Sequence, residues 1–124
     1  MLRKPKRDPE RENRISMEII PDAKDEEEVA MGWYSYLQDQ IRFPFVARGI
    51  NRRASSPLRV DDEVEVLDLS SEDECEHEMF VTIRWEKKGL AVPLAQLKPI
   101  TSTDEQTKLA VSDWQYWVDM GYGF

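Results

Sequence analysis

Phe80-Val-Thr-Ile-Arg-Trp-Glu-Lys-Lys-Gly-Leu-Ala-Val-Pro-Leu94 decides the fold. Val81, Ile83 and Trp85 fall on one side of an extended chain, with Thr82 and Arg84 on the other. This alternation is the mark of a half-buried strand. Lys87, Lys88 and Gly89 offer a tight reversal into a second strand, Leu90–Leu94, whose Pro93 lacks an amide donor and suits an edge. Ala95–Leu97 then reads as a single 3₁₀ turn before Lys98 and Pro99.

Upstream, Val64 and Val66 alternate with Glu63 and Glu65, so Asp62–Leu69 reads as another strand. Phe45–Ile50 is a further strand, separated from it by a turn at Ser55, Ser56 and Pro57. Before these strands the period changes. Val29, Trp33, Tyr36, Leu37 and Ile41 recur at helical spacing, with Asp22 as N-cap, Asp25 in the capping-box position and Pro44 beyond the end near Arg42. A second amphipathic helix follows the strands. Thr103 and Gln106 offer its capping box, Leu109, Ala110, Asp113, Trp114 and Trp117 line successive turns, and Gly121 ends it. Ile15–Ile20 reads as a short strand closed by Pro21. The expected fold is therefore α+β, a small antiparallel SH3-like β-barrel packed with two amphipathic helices. No internal repeat is visible.

The 124 residues suit one domain over residues 15–124, and the four Trp, four Tyr and four Phe give its core bulk. Residues 1–14 carry six basic groups, two prolines and no apolar period, and read as a disordered basic tail. The chain has net charge −8, and beyond residue 14 eleven basic residues face twenty-two acidic ones, a net −11. Such a surface repels nucleic acid and anionic lipid and attracts cations or a basic protein partner. No run approaches the roughly 20 apolar residues of a membrane span. The single cysteine, Cys75, permits no internal disulfide, and no apolar run follows the basic N-terminus, so a reducing, cytoplasmic location and a monomer are expected.

Chemistry concentrates in Asp68-Leu-Ser-Ser-Glu-Asp-Glu-Cys-Glu-His-Glu78, where six of eleven residues are acidic. Asp68, Glu72, Asp73, Glu74, Glu76 and Glu78 repel one another, and a divalent cation would relieve that repulsion. Ca²⁺ takes about 6–8 oxygen ligands in a flexible shell, whereas Mg²⁺ demands a strict octahedron. A plain solvated loop is the competing reading. A second cluster, Asp22, Asp25, Glu26, Glu27 and Glu28, opens the first helix, where acidic groups also complement the helix dipole. Asp22, Glu26 and Glu28 are the candidate ligands there. Asp39 lies on the side of Glu28 but about 16 Å farther along the axis, so its ligand partners must come from elsewhere. Asp61, Asp62 and Glu63 read as an ordinary strand start. No EF-hand pattern occurs, and the acidic loop has no Gly. Cys75 and His77, facing one way with Asp73 in an extended chain, raise zinc as a rival, but one Cys and one His fall short of a structural site. No phosphate loop, no G-x-S-x-G and no nucleophile–base pair at useful spacing is present, so an enzyme is not expected.

The stretch Asp22-Ala-Lys-Asp-Glu-Glu-Glu-Val-Ala-Met-Gly-Trp-Tyr-Ser-Tyr-Leu-Gln-Asp39, followed by Phe43-Pro-Phe-Val-Ala-Arg48, resembles the cyanobacterial-type, CcbP-like family of calcium-binding proteins. So do Glu74-Cys-Glu-His-Glu-Met-Phe-Val81, Gly89-Leu-Ala-Val-Pro-Leu-Ala-Gln-Leu97 and Asp113-Trp-Gln-Tyr-Trp117, which brings the likeness to about residues 15–123. The resemblance implies Ca²⁺ binding without an EF-hand and a role as an intracellular calcium buffer. The alternative is an acidic SH3-like interaction module with no specific metal.

Overall fold

The computed structural model describes residues 5–124. Its elements are helix α1 (Pro9–Arg14), a π-helical turn (Ile15–Ile19), helix α2 (Glu26–Gln40), strands β1 (Phe45–Gly49), β2 (Glu63–Leu69), β3 (Phe80–Trp85) and β4 (Lys88–Pro93), a 3₁₀ turn (Leu94–Gln96), strand β5 (Leu97–Pro99) and helix α3 (Glu105–Asp119). The α+β class holds. The five strands form one antiparallel sheet in the order β4-β3-β2-β1-β5.

The expected barrel does not close. β4 and β5 are the two edges, and no ladder joins them among the described residues. The chain passes from β4 through the 3₁₀ turn straight into β5, which spans three residues and pairs only with β1. Pro93, the last residue of β4, has no amide to offer a closing partner. The β3–β4 hairpin reverses one position earlier than the glycine suggests: Trp85 pairs with Lys88, and Glu86 and Lys87 take φ of 47° and 68°. Two successive positive-φ residues make the tight turn whose twist matches a hairpin.

Alternation puts Val64, Val66, Val81, Ile83 and Val92 into the core, where Leu94 and Leu97 join them. Helices α2 and α3 pack on each other, and α3 also packs against β5 and the 3₁₀ turn. Their shared seam is aromatic. The Trp33 ring stands 5.1 Å from that of Trp114 and 5.4 Å from that of Trp117, edge-on or tilted. Such pairs add about 0.5–1.5 kcal/mol beyond the area they bury. α2 starts three residues later than the acidic run suggests, because Asp25, not Asp22, caps it by accepting the Glu28 N–H at 2.9 Å. Asp104 does the same for α3 through the Thr107 N–H, and Gly121, at φ 78°, turns the chain after it.

Two expectations fail at the N-terminus. Residues 9–14 form a helix rather than a disordered tail, capped by Asp8 with Pro9 at its first position; residues 1–4 lie outside the described residues. Ile15–Ile19 is a π-helical turn rather than a strand, and buries Ile15 and Ile19 on one side. α1 buries no residue of its own. It is held by charge instead: Arg11 and Arg14 donate to the fully buried Asp113 carboxylate at 2.6–2.8 Å, and Tyr36 adds its hydroxyl at 2.9 Å. The hydrogen bond to Asp113 raises the Arg14 pKa, and burial followed by the Asp113 charge raises that of Tyr36. The Glu12 carboxylate likewise accepts from Tyr116 and Tyr122.

The π-helical turn rests on Gly32 of α2. A Cβ at Gly32 would stand 2.5 Å from the Ile19 carbonyl oxygen. Alanine normally stabilises a helix interior by nearly 1 kcal/mol relative to glycine. Gly32→Ala is nonetheless expected to destabilise the protein by about 1–3 kcal/mol, the cost of overpacking. A urea midpoint above that of the unaltered chain would show that the turn moves aside freely.

Candidate metal centre

The first turn of α2 and the loop from Ser70 to Met79 face each other across a cleft of about 430 Å³. Glu26 and Glu27 stand on one wall, Glu72, Asp73 and Glu76 on the other, and Ala30, Met31, Tyr34, Cys75 and His77 complete the lining. Five carboxylates from segments more than forty residues apart thus share one space.

The loop is built around its cysteine. Backbone bonds from Glu74 and Cys75 back to Ser71 and Glu72 curl Ser71–Cys75 into a tight turn, and this brings Cys75 inward. Its Sγ accepts the Phe80 N–H at 3.3 Å, while Ser70 donates its N–H to the Phe80 carbonyl at 3.0 Å and closes the loop's base. Met79, fully buried, is the apolar plug. Burial raises the Cys75 pKa. Structural zinc sites are built mainly from Cys and His, and the cleft offers one of each beside five carboxylates, so its lining suits an oxygen-seeking ion better than zinc.

Tyr34 ties the loop to α2 by donating its hydroxyl to the Ser70 carbonyl at 2.8 Å. Burial raises the Tyr34 pKa, and Cys75, Glu72 and Asp68 push it further in the same direction. The phenol therefore stays protonated and keeps donating well above neutral pH. At the far end of the loop, Glu78 accepts two hydrogen bonds from Arg53, at 2.8 and 2.6 Å.

Of the ten carboxylates singled out in the sequence, Glu26, Glu72, Asp73 and Glu76 line the cleft. The other six do not. Asp22 sits exposed in the turn before α2. Glu28 reaches back to accept the Lys24 N–H at 2.7 Å. Asp39 is exposed in the last turn of α2, about 20 Å along the axis from Glu26. Asp68 accepts the N–H of Leu69 at 2.8 Å, Glu74 points out from the tight turn, and Glu78 is taken by Arg53. Glu27 is the cleft carboxylate that the ligand set omitted. Its signal was present: residues 27, 30, 31 and 34 form one helical stripe, so Glu27 shares a side with Tyr34.

Ten oxygens from five flexible carboxylates match in number and hardness what Ca²⁺ asks for, and the residues present fit that ion. Among the described residues no three acidic, His or Cys side chains already converge as a cage. An ion held here would have to gather these side chains around it. Side-chain rotations of the long glutamates on an exposed helix end and loop supply that movement.

The family model described as calcium binding, of the CcbP type, matches residues 13–118. The crystal structure of CcbP from Anabaena is similar over 99% of this chain and 100% of its own, with 38% identity and a TM-score of 0.85. A structure of a calcium binding protein in the calcium-binding form, also 38% identical, covers 95% of this chain and 96% of its own with a TM-score of 0.83. No curated protein sequence matches.

Proposed function

This chain belongs to the CcbP family of calcium-binding proteins, and from that premise we propose that it takes up Ca²⁺ in the cleft between α2 and the acidic loop. The observation that carries the reading is the meeting of Glu26 and Glu27 with Glu72, Asp73 and Glu76 across one space. These five residues would hold the ion. When bound, it supplies positive charge that cancels their mutual repulsion. Tyr34 and the buried Cys75 keep the loop in register with α2 while its carboxylates turn inward. Asp39, at the other end of α2, is the candidate for a second ion.

The role is that of a buffer in the cytosol, acting as a monomer and without catalysis. The acidity of the body, the lack of a nucleophile–base pair in the sequence and the family all support it. A second reading, a basic protein partner on the same face, is favoured by one feature: Met31, 41% exposed, lines the cleft among the carboxylates and could receive an apolar side chain.

Calorimetric titration of the chelator-stripped protein, in physiological salt with millimolar Mg²⁺, is the test. Saturable Ca²⁺ binding is expected. It should weaken by about tenfold or more, about 1.4 kcal/mol, in Glu72→Gln/Asp73→Asn. Asp39→Ala should lower the stoichiometry while leaving that site intact. No calcium heat would overturn the proposal and leave the partner reading.

A further inference from the structure

The acidic loop is fastened at its far end by a residue outside it. Arg53, in the long connection between β1 and β2, forks both Nη atoms onto Glu78, one to each carboxylate oxygen. Among the described residues this is the one ion pair made by any carboxylate from Asp68 to Glu78. Bidentate pairing of this kind fixes orientation as well as distance. The Glu78 side chain is 23% exposed and that of Arg53 36%, so the pair is partly sheltered from water.

Glu78 directly precedes Met79 and Phe80, where the loop rejoins the sheet, and it follows Glu76 and His77 of the cleft wall. Fastening Glu78 therefore limits how far Glu76 can swing away from α2. The Tyr34 hydroxyl on Ser70 fastens the other end. Between these two points the loop curls around Cys75, and Glu72, Asp73 and Glu76 are presented to Glu26 and Glu27. The pairing also withdraws one of the loop's six carboxylates, so the cleft is reserved for the other ligands.

We propose that Arg53 is a positioning residue for calcium: its grip on Glu78 holds the acidic loop in the arrangement that binds the ion. This rests on the calcium reading above. A pre-set loop loses less freedom on binding, and the affinity gain comes from that saving rather than from a new contact to the ion. Arg53 adds positive charge near the site and on that ground alone would weaken Ca²⁺ binding. Loss of affinity on removing it would therefore separate positioning from simple electrostatics.

The decisive variant is Arg53→Met/Glu78→Met. It removes one positive and one negative group together, so net charge is unchanged and only the fastening is lost. The Ca²⁺ dissociation constant is expected to rise about five- to tenfold by calorimetry, with unaltered stoichiometry. Arg53→Lys, which keeps the charge but not the fork, should raise it about two- to threefold. It also serves as the test if the double variant does not fold by circular dichroism. Affinity equal to that of the unaltered chain, in the double variant or in the lysine variant should it stand alone, would overturn the positioning role. So would tighter binding. An unaltered chain that binds no calcium would overturn the calcium reading itself and this inference with it.

Discussion

Replacing Asp113 by alanine is expected to lower the folding stability by roughly 3–5 kcal/mol, the cost of breaking a buried ion pair from one side. Asp113 is fully buried, and its two oxygens accept from Arg11, Arg14 and Tyr36. Without it, two guanidinium groups that are each about one quarter exposed or less lose their shared counter-charge, and only Arg11 keeps another, Asp8 at 3.3 Å. α1 has no buried side chain with which to remain in place. It should detach, and the Glu12 bonds to Tyr116 and Tyr122 should go with it. Asp113→Asn keeps the shape but not the charge and should retain only a minor part of the stability. Arg14→Ala should cost less than either, because Arg11 and Tyr36 stay on the carboxylate. Urea unfolding measures all three. A loss under about 1 kcal/mol for the alanine variant would mean that the cluster contributes orientation rather than stability.

Calcium should have the second large effect. An ion that binds only the folded chain stabilises it by about 2.7 kcal/mol when free ion reaches 100 times the dissociation constant. For a chain of this length that corresponds to a rise in melting temperature of about 10 °C. The triple change Glu72→Gln/Asp73→Asn/Glu76→Gln should abolish the rise. It should also leave the calcium-free protein as stable as before or more so, since three like charges no longer repel across the loop. A scanning experiment with and without chelator reads both. An undiminished calcium shift in the triple variant would move the site away from the cleft.

The parts of the fold that were legible in the sequence are those whose side chains obey one period. The hairpin from Phe80 to Leu94 shows alternation, and α2 and α3 show apolar residues at helical spacing, because each of these elements buries one side. α1 obeys no such rule. It is held by Arg11, Glu12 and Arg14, and a search for apolar residues passes over it, although Asp8 before Pro9 is a helix-start signal. Ile15, Met17 and Ile19 fit a strand, but Ile15 and Ile19 are also four apart, and in five residues the two periods cannot be separated. Barrel closure depends on two edges meeting, which no local pattern encodes. The same holds for the site. The acidity of Glu26–Glu28 and of Glu72–Glu78 is plain in the sequence, and so was a calcium-binding family likeness. That Glu27 belongs with Glu76 while Glu78 belongs to Arg53 is decided by how a helix and a loop are brought together.

The clasp on α1 also bears on how the protein is made. Arg11 and Glu12 are translated about 100 residues before Asp113, Tyr116 and Tyr122. At roughly 5–20 residues per second, the first helix waits about 5–20 s for its partners. Through that interval it has no hydrophobic surface with which to hold a place, and its charges stay solvated and keep the nascent segment soluble. The native state therefore closes only once α3 has been made, and α1, made well before it, is among the last elements to be seated.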